Sequence, residues 1–473
     1  MKINKNFIKI LKYFILFSFL VIFLTSCETT YTPVKLQNLP QPKVIELEGI
    51  GKVNNFFTDY GIEVYQLYEG GKVYVDLVIT NVSEYLDKYP VGTLETLLYM
   101  MNYKISSGYL VYLLNKSYMN GNISDGYFDF DDDNIYISIV SSNNTYLAAL
   151  ADLAGILYNK PTDSSVFSTI KDYLYTKNGL FYGEENSPER YKERLPRKLF
   201  FSNHTYGKYA NSFRDFEKVE LKDVQNLYND LFNVHNIKFF IRGQAGQSAI
   251  KAKLEKEFAN IPQKSIEPWK IKPINLLDNI SNNYFTFYSS TAKSLYVSNY
   301  SPGPLRTSED FYPFLVASEI LSNKTYINVR IKNNLAYAVD WYVDGGRATY
   351  LKLYLTTTKL NESLKIIIDT LKDLKEKGVN EDDILQVYKK RYTSFYLMLE
   401  QSSGFFSFVK YSELNYNWPE RVYEHMDRIK NVKKEDINRV LKTYFKYFIW
   451  GVVGPSQKDI DNIDKKLLFY KVD

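Results

Sequence analysis

Among 473 residues the chain holds three histidines, His204, His235 and His425, and one cysteine, Cys27. Imidazoles and thiolates are the usual zinc ligands, joined by carboxylates, and a site takes three or four of them. One cysteine excludes an intrachain disulfide and every multi-cysteine zinc site. No two histidines have the i, i+4 spacing that places two imidazoles on one helix face. His204 sits in Asn203-His204-Thr205-Tyr206-Gly207 and reads as a satisfied polar contact, not a catalytic group. Asp129, Asp131, Asp132 and Asp133 form an acidic cluster. A calcium loop needs a regular D-x-D-x-D-G run and a later glutamate. Neither is present, so the cluster reads as a solvated turn.

The formal charge is +5, with 45% hydrophobic and 24% charged residues. That is the composition of an ordinary globular chain, long enough for two to four domains. The positive charge has a local origin. Lys2, Lys5, Lys9 and Lys12 precede a nearly unbroken apolar run, Tyr13 to Leu24. The run is too short to span a bilayer, which takes about 20 residues, and it fits a secretory signal. It ends in Leu24-Thr25-Ser26-Cys27, which resembles a bacterial lipobox, with Cys27 as the lipidated first mature residue. The alternative is a plain signal anchor. Removing residues 1–26 from 473 leaves 447 residues, and losing four lysines from +5 leaves +1. A near-neutral body offers no electrostatic case for nucleic acid. Residues 27–44, with three prolines and little periodicity, read as an extended tether reaching up to roughly 60 Å from the bilayer.

The rest of the chain repeats. An alternating run at 135–140 precedes an apolar-stripe helix at 146–157, and 350–356 precedes a similar helix at 364–374. Earlier in each half a strand leads into an apolar helix: Val73–Thr80 before 92–103, and Ser294–Tyr300 before 311–321. Late in each half an acidic-capped helix precedes a buried strand: 222–232 before 237–241, and 434–445 before 448–453. The expected organisation is a half at 45–260, a proline-punctuated linker at 261–274 and a second half at 275–473. The class is α+β, with helices clustered on antiparallel sheets.

Several motifs in this order resemble the pitrilysin/insulinase family of zinc peptidases, the inverzincins. Arg330 through Asn334-Leu335-Ala336-Tyr337-Ala338 is similar to the family's Arg-x-x-x-Gly-Leu-Ala-Tyr-Ser segment, and Asn203-His204-Thr205-Tyr206-Gly207 to its His-Pro-Tyr-Gly element. The resemblance covers roughly residues 45–455. It implies two homologous halves in a clamshell around an unfolded peptide. It also implies a zinc site in the first half, built from His-x-x-Glu-His on a helix and a later glutamate. The intervening glutamate of that motif is the general base for metal-bound water.

Aligned on Gly92, the first ligand position is Glu95, the base position Leu98 and the second ligand position Tyr99; the downstream acidic position is Ile170. Leucine accepts no proton, isoleucine binds no cation, and a tyrosine with pKa near ~10 is a poor zinc ligand at neutral pH. None of the three histidines lies in this helix, so the zinc implied by the family has no ligands here and no cofactor is expected. Glu95, odd in an apolar helix, faces either the emptied chamber or, the favoured reading, the solvent edge. The family also contains subunits without the metal motif that pair with an active partner and contact its peptide substrate through an Arg/Tyr pair. That resemblance gives Arg330 forked donors for peptide carbonyls and Tyr337 a hydroxyl for a developing oxyanion. The alternative is a solvated helix-end charge and a packed strand tyrosine. The leading expectation is a lipid-anchored, non-catalytic homologue in the bacterial cell envelope, paired with an active subunit. A stand-alone peptide- or ligand-binding surface lipoprotein is the second reading, and a hydrolase with a novel site the third.

Overall fold

Alternating apolar residues build two sheets. The computed structural model describes residues 35–116, 126–182, 195–208, 213–263, 273–274 and 284–469. In the first half the strands are β1 (Lys43–Leu47), β2 (Gly51–Phe57), β3 (Glu63–Leu67), β4 (Val73–Ile79), β5 (Tyr103–Ser106), β6 (Tyr109–Tyr112), β7 (Gly126–Phe130), β8 (Ile135–Ser141) and β9 (Ile237–Arg242). In the second they are β10 (Tyr284–Tyr288), β11 (Leu295–Leu305), β12 (Ala336–Asp344), β13 (Ala348–Thr357) and β14 (Ile449–Gly454). The sheet orders are β1-β2-β3-β9-β4-β8-β7 and β10-β14-β11-β13-β12, with β5 and β6 as a separate hairpin.

The internal repeat is visible in this wiring. In the first sheet β3 and β9 run parallel, and β9-β4-β8-β7 are antiparallel. In the second, β10 and β14 run parallel, and β14-β11-β13-β12 are antiparallel. Five strands of each half therefore share one order and one set of directions; β1 and β2 extend the first sheet. Helices follow in matching order: Thr93–Asn102, Tyr146–Leu157, Ser164–Tyr182 and Leu221–Leu231 in the first half, then Phe311–Thr325, Leu360–Lys377, Glu381–Leu399 and Lys434–Tyr444 in the second. Their starts are set by sequence. Asn380 and Asp383 form a reciprocal capping box, as do Glu220 and Asp223.

The period of two assigns each face of the first sheet to a different core. Val75, Leu77, Ile79, Ile237, Phe239, Ile241 and Val64 pack with that half's own helices, against Leu94, Leu97, Leu150 and Leu227. The alternate residues Val53, Tyr65, Leu67, Val78 and Phe240 belong to the core of the second half. There they meet Phe405 and Phe406 of the Ser402–Tyr416 helix. Polar contacts follow the same boundary. Lys238 pairs with Glu63 at 2.7 Å and with Glu413 of that helix, and Lys410 pairs with Asp76 at 2.6 Å.

The amino-terminal stretch is described from residue 35. It lies on the body rather than apart from it: Leu36 donates its N–H to the Asp59 carbonyl, and Lys43 and Val44 already pair in β1. Residues 1–26 and Cys27 lie outside the described residues. Among the described residues no helix is long and apolar enough to cross a membrane.

Candidate functional site

The Thr93–Asn102 helix begins after Gly92, whose φ of +93° suits a residue without Cβ. A Cβ there would meet Phe216 at 3.0 Å. The helix places Glu95 and Tyr99 on one face, one turn apart. Glu95 is half-buried rather than on the solvent edge, and its Oε2 is cut off from solvent. Leu98 and Ile170 are buried in the apolar core of the first half. Tyr99 stacks on Tyr103 at 5.2 Å with rings 5° apart, and Tyr173 tilts against it at 5.7 Å.

The surroundings of these positions are therefore aromatic rings and aliphatic chains. Burying charged zinc there without paired ligands is strongly unfavourable. The donor set does not fit the metal. Among the described residues no group of three or more His, Cys, Asp or Glu side chains is placed to hold a metal ion.

The histidines lie elsewhere. His204 accepts the Tyr206 N–H on Nδ1 at 3.2 Å, so it is a local cap, as the sequence implies. Burial lowers the pKa of His235. His425 packs between Phe395 and Phe408, with ring centroids 5.1 and 5.2 Å away. Its pKa is pushed down to about 2 by burial first and then by Arg421 and Arg391, so it is neutral.

The Arg330 and Tyr337 pair is assembled in the second half. The Phe311–Thr325 helix runs directly into a π-helical segment, Tyr326–Lys332. Asn334 follows with φ of +50°, the left-handed conformation that asparagine tolerates. This turn carries the chain into edge strand β12. It sets the Arg330 guanidinium 5.5 Å from the Tyr337 ring and 5.8 Å from Tyr326. Tyr337 is 79% exposed, so it is not a packed strand residue, and Ile327 and Ile331 of the π-helical segment are exposed as well.

Two members of the acidic cluster, Asp132 and Asp133, are not part of a solvated turn. Asp133 is wholly buried: Oδ1 accepts from the Ser83 hydroxyl at 2.6 Å, and Oδ2 from the Tyr206 hydroxyl and the Arg347 N–H, both at 2.8 Å. The Tyr206 hydroxyl in turn accepts the Ala348 N–H at 3.0 Å. Asp132 pairs with Arg197 at 2.8 Å, and Arg197 also donates to Tyr350. Burial, outweighing Arg197, pushes the Asp132 pKa up to about 7. Asp129 and Asp131 stay exposed and make local contacts, Asp129 accepting the Phe130 N–H and Asp131 the N–H groups of Asp133 and Asn134.

These residues join the halves. Gly346 makes the close approach possible, since a Cβ there would stand 2.2 Å from Asp133 Oδ2. Sequence spacing could not reveal this, because the burying partner arrives some 214 residues later. The one available signal was Gly345-Gly346 between two alternating strands, opposite a Tyr-Gly motif.

Residues 218–391 match the family described as Peptidase M16 inactive domain. No curated protein matches the chain. Solved structures with this fold include a peptidase M16 inactive domain from Pseudomonas fluorescens (14% identity, TM-score 0.68, covering 85% of this chain and 98% of that one). A putative M16-like peptidase from Alicyclobacillus acidocaldarius is similar at 12% identity and TM-score 0.68, over 87% of this chain and 99% of that one. The periplasmic protease PqqL from Escherichia coli is similar at 14% identity and TM-score 0.63, over 91% of this chain but 48% of its own length. Residues 218–391 thus carry the signature of a Peptidase M16 inactive domain, and the described chain has the fold of M16 peptidase-like structures.

Proposed function

We propose that this protein is a non-catalytic M16 homologue that pairs with an active, HxxEH-bearing subunit and completes its peptide chamber. The supporting observation is the contrast between the two candidate sites. The positions that the resemblance gives to zinc hold Leu98, Ile170 and stacked tyrosines, whereas half-buried Arg330 of the π-helical segment stands against exposed Tyr337 of edge strand β12. The size of the chain fits this reading. It spans 48% of PqqL, so a second chain of similar fold would supply the other half of such an assembly. In the pair, Arg330 donates to substrate carbonyls, and the Tyr337 hydroxyl stabilises the oxyanion developing at the partner's metal site. The location proposed is the bacterial cell envelope, with the protein held to the membrane by lipid on Cys27.

The test is co-purification with the active homologue, followed by a peptidase assay. Tyr337→Phe is expected to lower kcat/KM of the complex by about 100-fold, the usual effect of losing one donor to a developing oxyanion. It should leave the folding of this subunit and its association unchanged. Unchanged activity in a complex that still forms would remove the assigned role.

A further inference from the structure

The second half contains a cavity of about 770 Å³ where the first half has its aromatic plug. The Phe311–Thr325 and Glu381–Leu399 helices take the places that Thr93–Asn102 and Ser164–Tyr182 take in the first half. In the first half Tyr99 and Tyr173 close the gap between the helices. In the second the gap is bridged by Glu319, which holds Lys390 at 2.9 Å and Arg391 at 2.5 Å, and the space beside it stays open. Phe311, Trp341, Phe395, Phe408, Tyr411 and Tyr416 supply aromatic walls. The volume falls in the ~300–1,000 Å³ range of small-molecule sites.

The charge of this lining is unbalanced. Arg306, Lys390, Arg391 and Arg421 line the cavity against two carboxylates, Glu319 and Asp340. Glu319 is occupied by the two rim cations, and Asp340 accepts from Ser322. Arg306 and Arg421 are both buried. Arg306 donates to the Gly345 carbonyl and the Tyr411 hydroxyl, and Arg421 to the Tyr312 hydroxyl at 2.8 Å. Neither has a carboxylate partner among the described residues, and Arg421 Nη1 has no hydrogen-bond acceptor. The Tyr416 ring, 3.8 Å from the Arg421 guanidinium, offsets part of that charge. A buried guanidinium without an anion is otherwise costly. The Trp341 Nε1–H is a second buried donor without an acceptor.

We propose that this cavity binds an apolar molecule that ends in a free carboxylate. Aromatic walls take the apolar body, and the field of the buried arginines and the rim cations takes the charge. A monoanion suits the cavity better than a phosphate, because Glu319 and Asp340 line it too. Two sources share this chemistry: a fatty acid, and the carboxyl-terminal residue of a peptide with an apolar side chain. The inference is independent of any pairing with an active subunit and is tested without one.

Isothermal titration of the purified full chain with octanoate and with the peptide Ala-Ala-Ala-Ala-Phe tests it. One of the two saturates a single site, and which one identifies the source. Octan-1-ol or the carboxyl-amidated peptide then binds about tenfold or more weakly, as loss of a charged hydrogen-bonding group requires. Ser394→Trp and Ser407→Trp, on the two helices that line the mouth, each abolish saturation, and both positions are exposed so that folding is spared. Failure of both carboxylates to saturate, equal binding of the uncharged counterparts, or unaltered binding in both tryptophan variants overturns the proposal.

Discussion

Asp133 is a buried carboxylate satisfied by three donors from three separate segments: Ser83, Tyr206 and the Arg347 backbone. Such a group is neutral or favourable only while every donor is present, since a buried polar atom left without a partner costs its full desolvation. Deleting the carboxylate strands the Tyr206 hydroxyl and the Arg347 N–H together. Asp133→Ala is therefore expected to lower the free energy of unfolding by about 3–5 kcal/mol, the range for breaking a buried charged network. Ser83→Ala removes one donor and is expected to cost about 1 kcal/mol. Urea denaturation of the two variants checks this, and equal small losses would mean that Asp133 does not bind the halves. The motif containing Tyr206 thus has a physical role. Gly207 packs where a Cβ would stand 2.4 Å from the Phe201 carbonyl, and that packing holds Tyr206 pointed at the other half.

Elements with regular periodicity were legible, and those with special backbone were not. The helix expected at 146–157 is Tyr146–Leu157, and the strand expected at 350–356 is the centre of β13. Their apolar residues repeat at the helical and strand periods, which is all that the inference needs. The π-helical segment Tyr326–Lys332 left no such mark. Its wider coil is held by backbone geometry and by Asn333, whose side chain donates to the Asn328 carbonyl at 2.7 Å. For the candidate sites, residue identity placed Leu98 and Tyr99 on the helix after Gly92. It did not reveal that Tyr173 tilts against Tyr99, because Tyr173 comes from another helix. At Asn334 the element has a testable hinge: the Leu335 N–H reaches the Val329 carbonyl only through the left-handed turn. Asn334→Val is expected to destabilise by about 1–2 kcal/mol, the cost of that conformation for a β-branched residue. Asn334→Gly should stay within a few tenths of a kcal/mol of the original chain. Thermal unfolding separates the two, and equal stability of both variants would place the strain elsewhere.

At the scale of the whole molecule, the first sheet cannot hold both its faces by itself. One face is covered by its own helices, and the other by the Ser402–Tyr416 helix of the second half. Ile45, Val53, Tyr65, Leu67, Val78 and Phe240 all lie in the second-half core. At roughly 1.5–3 kcal/mol per fully buried large apolar side chain, exposing these six removes on the order of 10 kcal/mol. That is comparable to the entire stability of an ordinary domain, about 5–15 kcal/mol. Lys238 adds a charge to the same boundary, since it is buried between Glu63 of the first half and Glu413 of the second. The two halves are therefore expected to unfold as one unit, although each has its own sheet and helices. The full chain should give a single calorimetric transition whose van't Hoff and calorimetric enthalpies agree. A fragment ending at residue 263 should bind a hydrophobic dye and aggregate, because it presents a bare apolar sheet face. Two resolved transitions, together with a monomeric first-half fragment that binds no dye, would show that the shared core contributes far less than its buried area indicates.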